Sequence, residues 1–152
     1  MKVYCLPGLR VTASRLHLRL SIEYVANQQE IDKVFASVSQ LGAGAVFVLV
    51  DPLFQDRRDQ LVALQDRYSL PTVFGGPEFP RKGGLMGYGA NMANVFHDLA
   101  IYTGRILKGA RPEDLPVEQT TRIEVIINLR TAKALGLAIP QWILGRADEV
   151  IE

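Results

Sequence analysis

The residues of this chain that could bind a ligand follow apolar runs. Asp51 and Pro52 come directly after the run AVFVLV at residues 45–50, and the segment GYGAN at residues 87–91 follows a shorter run. Between these two places, Glu78 closes the turn GGPE. A carboxylate such as Asp51 can pair with a ligand amine or hydroxyl, but it can also cap a helix, and Pro52 suits a helix start. The sequence leaves both roles open for Asp51.

The glycines around Tyr88 have the composition of a ligand-contacting turn. Gly87 and Gly89 would let backbone amides approach a ligand, and Tyr88 would supply an aromatic wall. Asn91 can cap the next helix, whose N-terminus favours an anionic group such as a carboxylate. The alternative is a strand end with a tight turn and a core tyrosine. GYGANMA lacks the third glycine of a dinucleotide fingerprint and has no acidic residue at the expected distance.

The other chemistry-bearing residues form no catalytic or metal-binding motif. His17 and His97 are the 2 histidines of the chain, and neither has a second ligand at metal spacing. No serine has a nucleophile-elbow context, and a lone cysteine, Cys5, allows no internal disulfide. A phospho-acceptor Asp51 would need an acidic pair near the first strand, which the opening residues lack. We therefore expect no enzyme, no metal and no cofactor, with Trp142 packed under the C-terminal tail.

Size and composition indicate one ordinary globular domain. The chain has 152 residues, 48% of them hydrophobic, which is enough for a sizeable core. Its net charge of +1 provides no electrostatic basis for binding nucleic acid. No apolar stretch is long enough to span a bilayer, and MKVYCLPGLR does not read as a signal peptide. Taken as complete, the chain would therefore be cytoplasmic.

The elements that must position the candidate residues alternate between strand and helix. Strands are predicted at residues 16–22 (half-exposed, near a sheet edge), 45–50 (buried on both faces), 71–74, 85–88 and 123–127. Helices are predicted at residues 27–41, 55–68, 92–108 and, briefly, 131–135. Residues 2–6 could form another short strand, with too few residues before Leu16 for a crossover helix. The alternation predicts an α/β domain, a three-layer sandwich with a mostly parallel sheet.

The second half of the chain resembles a known family. The segments GGLMGYGANMANVF, YTGRILKGARPEDLPVEQTTRIEVIINLRTAKALGLAIP and RADEVIE resemble the C-terminal part of ABC transporter periplasmic substrate-binding proteins of the tryptophan/tyrosine type. LPVEQTTRIEVIINLRTAKALG is the most specific part. Upstream, DPLFQDRRDQLVALQDRYSLPTVFGGPEF keeps the pattern, so the resemblance covers roughly residues 15–152.

The resemblance implies a type I periplasmic-binding fold, in which two α/β lobes close around a small molecule and deliver it to an ABC permease. It places Asp51 and the pair Tyr88-Gly89 on the ligand-facing edge of the second lobe, and Glu78 in an adjacent loop. Pro77 stands where many relatives have arginine. The implied ligand is amino acid-like or an aromatic carboxylate, and the implied location is periplasmic.

The chain also departs from the family pattern, because relatives are about twice as long. Residues 1–14 are expected to be an atypical N-terminal segment, 15–110 the α/β lobe, and 111–152 a crossing strand with a helical tail. The chain then resembles a truncated binding protein. Strands lost by truncation would leave apolar residues 123–127 and a sheet edge unpaired, which predicts a homodimer. The alternatives are a self-associating remnant without a ligand, or a small flavodoxin-like or receiver-type domain.

Overall fold

The computed structural model describes residues 6–117 and 123–152 and contains alternating helices and strands. The helices are α1 (Leu6–Arg15), α2 (Gln28–Gln40), α3 (Pro52–Asp56), α4 (Arg58–Tyr68), α5 (Glu78–Arg81), α6 (Met92–Leu107), α7 (Leu129–Ala134) and α8 (Gln141–Leu144). The strands are β1 (Val46–Val48), β2 (Thr72–Phe74), β3 (Met86–Ala90), β4 (Ile123–Asn128) and β5 (Glu149–Ile151). A short 3-10 turn covers Pro112–Asp114.

The strands form one mostly parallel sheet in the order β1-β2-β3-β4-β5. β1, β2 and β3 are parallel neighbours, β4 runs antiparallel to β3, and β5 is parallel to β4. Helices flank this sheet. The predicted α/β class with a mostly parallel sheet is therefore confirmed.

The main core lies between the first strands and the helices α2, α4 and α5. Ile31 and Phe35 project from one face of α2, as the helical spacing of apolar residues requires, and pack with the buried side of α4. Asn27 caps α2 as predicted, since its side chain accepts a hydrogen bond from the Glu30 nitrogen at 3.1 Å. Phe74, at the end of β2, stacks on Phe79 of α5 with ring centroids 4.4 Å apart.

Gln65 is a buried polar side chain that ties α4 to β3. Its Oε1 accepts a hydrogen bond from the Leu85 nitrogen at 2.8 Å, and its Nε2 donates to Asp66 Oδ1 at 3.0 Å. Replacing Gln65 with leucine would leave the buried Leu85 N–H without a partner. We expect Gln65→Leu to lower the free energy of unfolding by about 1–3 kcal/mol, measured by urea denaturation. Gln60→Leu, at a solvent-facing hydrogen bond of the same helix, is the control and should cost less.

The N-terminal part of the chain differs from the prediction. Residues 16–22, predicted as an edge strand, form a turn followed by irregular backbone, although their apolar residues alternate with polar ones. His17, predicted on a strand face, lies in a turn with a φ of 54°. A strand needs a neighbour for its backbone hydrogen bonds, and no described strand pairs with these residues.

A helix of 10 residues, α1, precedes this segment. Leu6, predicted as the end of a short strand, begins that helix. The rest of the predicted strand, at residues 2–5, lies outside the described residues. Other boundaries also differ from the prediction. The helix predicted at 55–68 is divided into α3 and α4 near Arg57, and β3 extends two residues beyond Tyr88.

β1 and β4 do not have the surroundings that the sequence predicted. β1 is an edge strand of the described sheet, and Phe47 is 49% exposed, so burial on both of its faces was wrong. β4 was expected to lack partners within the chain, but it pairs with both β3 and β5, and Ile126 and Ile127 are buried. Trp142, predicted to pack under the tail, is 68% exposed. β4 therefore gives no reason for a dimer by exchange of the C-terminal segment.

Candidate ligand-binding edge of the sheet

The candidate segments share one edge of the sheet. β1, β2 and β3 are parallel neighbours, so their carboxyl ends lie side by side. Asp51 follows β1, Gly75 follows β2 directly, and Gly89 lies at the end of β3. Since neighbouring strands are about 4.8 Å apart, β1 and β3 are separated by about 10 Å, a span that suits a small molecule.

Glycines hold the three segments against one another. A β-carbon on Gly75 would lie 2.8 Å from the Val50 nitrogen, and one on Gly89 would lie 2.8 Å from the Gly75 carbonyl oxygen. A β-carbon on Gly87 would meet the Gly76 carbonyl oxygen and would lie 2.9 Å from the Pro77 Cα. The sequence suggested that Gly87 and Gly89 allow a ligand to approach the backbone. In the structure they allow the β2 turn to approach β3.

Asp51 acts as a helix cap. Its backbone is extended, and its Oδ1 accepts a hydrogen bond from the Leu53 nitrogen at 2.9 Å. Pro52 is the first residue of α3 and is exposed, which is the helix-start role that its fixed φ favours. The carboxylate of Asp51 is partly buried at the carboxyl edge of the sheet. Capping uses one oxygen of the Asp51 carboxylate. The carboxylate can still accept a further hydrogen bond from a donor group on a ligand.

Glu78 is the first residue of α5, and one of its carboxylate oxygens is buried without a hydrogen bond. Within the described part of the chain, Oε2 of Glu78 has no hydrogen-bond partner. A β-carbon on Gly76 would lie 2.6 Å from this oxygen and 2.9 Å from Nε2 of Gln55, so both polar groups converge over Gly76. Gln55 was missed by sequence reasoning. It lies four residues after the cap Asp51, one helical turn along α3, and that spacing is the signal that could have found it.

The side chain of Tyr88 lies on the face of β3 opposite to the face that contacts the β2 turn. Gly87 and Gly89 face the β2 turn, and successive residues of a strand point to opposite faces, so Tyr88 points away from that turn. Tyr88 is opposite Val125 of β4 and is 48% exposed. The structure therefore brings Asp51 and Glu78 to one edge but directs Tyr88 to a separate surface.

Asn91 is held by two sets of hydrogen bonds. Its Oδ1 accepts from the Ala93 nitrogen at 2.9 Å, which confirms it as the cap of α6. Its Nδ2 donates to both carboxylate oxygens of Glu124, at 3.0 and 3.1 Å. Glu124 was missed by the sequence analysis, because only the antiparallel pairing of β4 with β3 places it opposite Gly89.

Arg81 is a cation near this edge, and it has another partner. Arg81 of α5 forms a salt bridge with Glu149 of β5 at 2.6 Å. The hydrogen bond that the Arg81 guanidinium donates to Glu149 is the main cause that raises the pKa of Arg81 above its ordinary value, and the charges of Glu124 and Glu78 add to it. Among the described residues, Asp51, Glu78 and Glu124 place carboxylates at the candidate edge, which favours a ligand with a hydrogen-bond donor or a positive charge.

The described residues contain no cluster of side chains that could hold a metal ion. Across residues 6–117 and 123–152, no group of three or more His, Cys, Asp or Glu side chains is placed to hold a metal ion. His97 lies exposed on α6, as predicted.

In residues 6–117 and 123–152, none of the helices combines the length and the apolar character that crossing a membrane requires.

The sequence model of the family described as ABC transporter substrate binding protein matches residues 5–151. No curated protein matches the chain closely enough to count as a relative.

Several solved structures share the fold. The ABC domain in complex with L-Trp from Streptococcus pneumonia has a TM-score of 0.85 and 22% identity over 96% of this chain and 49% of its own. A conserved domain protein from Vibrio cholerae O1 biovar El Tor has a TM-score of 0.84 and 18% identity over 95% of this chain and 49% of its own. A ligand-free, open substrate binding protein with adhesive properties from Clostridium difficile has a TM-score of 0.63, with 19% identity over 96% of this chain and 48% of its own. The chain spans about half the length of these proteins.

Proposed function

Because this chain belongs to the ABC transporter substrate binding protein family, we propose that it binds a small solute for import and does not change it chemically. The family is normally periplasmic and generally non-enzymatic, and we extend both properties to this chain. The absence of a metal-ligating cluster among the described residues is compatible with binding alone. An ABC permease is the proposed partner that receives the solute.

The observation that carries this proposal is the buried, unpartnered oxygen of Glu78. A buried carboxylate oxygen without a hydrogen bond is costly, and a ligand donor at this place would remove the cost. Asp51 lies at the same edge of the sheet, so a ligand ammonium group could contact both acids. We therefore propose an amino acid-like ligand. An aromatic carboxylate without an amine is disfavoured here, because Asp51, Glu78 and Glu124 would repel it.

The complete binding site is proposed to need more residues than this chain contains. The chain covers about half the length of its structural relatives. We propose that the edge formed by Asp51, Gln55 and Glu78 provides one wall of the site, and that a second lobe supplies the other. On this proposal, the 152-residue chain alone binds its solute more weakly than a two-lobed relative does.

A panel of amino acids and aromatic acids tests the proposal by thermal denaturation. A ligand at 100 times its dissociation constant stabilises the folded state by about 2.7 kcal/mol, which is readily measured as a rise in Tm. We expect amino acids to raise the Tm and matched acids without the amine to have little effect. L-tryptophan is the first choice, because one structural relative was solved with it.

A self-associating protein without a ligand is the second candidate. The exposed apolar side chains of α6, including Phe96 at 63% and Leu107 at 82%, favour it. Under this alternative, no member of the panel raises the Tm of a folded sample. The flavodoxin-like or receiver-type alternative receives no support from the family assignment.

A further inference from the structure

Two polar side chains border the space over Gly76, in the turn that follows β2. A β-carbon at this position would lie 2.6 Å from Oε2 of Glu78 and 2.9 Å from Nε2 of Gln55, with Cδ2 of Phe79 at 3.6 Å. The two close atoms end flexible side chains, and one is a hydrogen-bond acceptor while the other is a donor. This space, with Gln55 and Glu78 at its border, is the Gly76 recess.

Gly76 differs from the other glycines of the candidate edge. A β-carbon on Gly75 or Gly89 would lie 2.8 Å from a backbone atom of another segment, so close packing of the backbone accounts for these two glycines. At Gly76, the three nearest described atoms all belong to side chains. The missing side chain at Gly76 therefore leaves room for a polar group that the neighbouring backbone does not fill.

The acceptor and the donor at the Gly76 recess are both available to a ligand. Oε2 of Glu78 is buried without a hydrogen bond within the described part of the chain. The described residues themselves cover this atom, so its burial does not depend on residues outside them. Gln55 is half-buried, and across residues 6–117 and 123–152 its side-chain amide has no hydrogen bond. The flexible amide of Gln55 can therefore turn aside, admit a ligand group to Glu78 and bind a second group of the same ligand.

We propose, resting on the function proposed above, that the Gly76 recess binds the ammonium and carboxylate groups of an α-amino acid together. Oε2 of Glu78 accepts a hydrogen bond from the ammonium group, and Nε2 of Gln55 donates one to the carboxylate. Both ligand groups are bonded to one carbon atom, which suits an acceptor and a donor that lie within 2.9 Å of one point. Gln55 is then the residue that determines the preference for amino acids over plain amines.

Acidic residues alone would not select an amino acid. Asp51 and Glu78 would favour an amine without a carboxylate, because both acids repel a ligand carboxylate. Selection of an amino acid needs a donor beside these acids. The guanidinium of Arg81 is paired with Glu149 at 2.6 Å, so Gln55 is the side-chain donor that the Gly76 recess offers.

Isothermal titration calorimetry with matched probes tests the role of Gln55. Each amino acid of the panel is compared with the amine that lacks its carboxylate, beginning with L-tryptophan and tryptamine. The wild-type chain should bind at least one amino acid about 10-fold or more tightly than its amine, as a hydrogen bond to a charged group provides. Gln55→Leu removes the donor and should bring the two dissociation constants to within about threefold of each other. Gln55→Glu should reverse the preference, because a second negative charge then faces the ligand carboxylate.

Gly76→Ala tests the recess itself. The added methyl group would displace the ends of two flexible side chains and no backbone, so the Tm should fall by no more than about 3 °C. Binding of the preferred amino acid should weaken about 10-fold or more, because the methyl group occupies the recess. Gly104→Ala, where nothing lies within 4 Å of the added carbon, is the control and should leave the affinity unchanged.

The same titrations separate a failure of the Gly76 recess from a failure of the proposed function. A preference for the amino acid that survives Gln55→Leu, in a chain that loses binding with Glu78→Gln, would overturn the role of Gln55 alone. A wild-type chain that binds the amine as tightly as the amino acid would overturn that role too. An affinity unchanged by Gly76→Ala would place the ligand outside the recess. A folded wild-type chain that binds neither amino acids nor amines would overturn both the recess and the proposed function.

Discussion

Phe74→Ala is expected to lower the free energy of unfolding by about 3–5 kcal/mol. Phe74 is completely buried at the end of β2, and its ring stacks on Phe79 with an interplanar angle of 5°. Its removal creates a cavity between the sheet and α5. Gly84 borders this cavity, since a β-carbon on Gly84 would lie 2.8 Å from the Phe74 ring. For a domain with a total stability of about 5–15 kcal/mol, this is a large fraction.

Urea denaturation followed by circular dichroism measures this effect. Phe74→Leu is the matched control, since it keeps most of the volume and should cost clearly less. Because Phe74 immediately precedes the turn that carries Glu78, Phe74→Ala should also weaken ligand binding, whereas Phe74→Leu should not. A loss below about 1 kcal/mol for Phe74→Ala would contradict the packing of α5 on β2.

The second large effect concerns the carboxylates at the candidate edge. Glu78→Gln and Asp51→Asn are each expected to weaken binding of an amino acid-like ligand by about 10- to 150-fold, corresponding to about 1.5–3 kcal/mol for a hydrogen bond to a charged group. Both variants preserve side-chain shape. Asparagine at position 51 is also as good a helix cap as aspartate, so α3 should persist.

Equilibrium dialysis with labelled ligand compares these variants with Glu152→Gln, which removes an exposed carboxylate at the end of the chain. Asp51→Ala is a useful third variant, because it removes both the charge and the cap to Leu53. Asp51→Ala should lower the free energy of unfolding more than Asp51→Asn does. Both variants should weaken ligand binding by a similar factor. Unchanged affinity in Asp51→Asn would restrict Asp51 to its capping role.

Elements with strong local signals were predictable from the sequence. Asn27 and Glu30 marked the start of α2, and Asn91 and Gly109 bracketed α6, because capping and the positive φ of 100° at Gly109 depend on neighbouring residues alone. β2 and β4 were also found at nearly the correct positions. The resemblance in the second half of the chain anticipated the family that the family model assigns.

Features that depend on distant residues were not predictable. The alternation at residues 16–22 has the period of a strand, but a strand also needs a partner that periodicity does not report. The apolar run ending in Val50 fits a strand buried on both faces, yet β1 lies at the edge of the described sheet. Gln55 and Glu124 join the candidate edge only through the approach of Gly76 and the pairing of β4 with β3.

We propose that the carboxyl edge of β1, β2 and β3 binds one small amino acid-like solute unchanged. Isothermal titration calorimetry of the 152-residue chain with L-tryptophan and a panel of other amino acids tests it most directly. We expect saturable heat at one ligand per chain for at least one member, chemically unaltered ligand on recovery, and loss of that heat in Glu78→Gln. Absence of heat with every member, from a sample whose circular dichroism shows a folded protein, would contradict it.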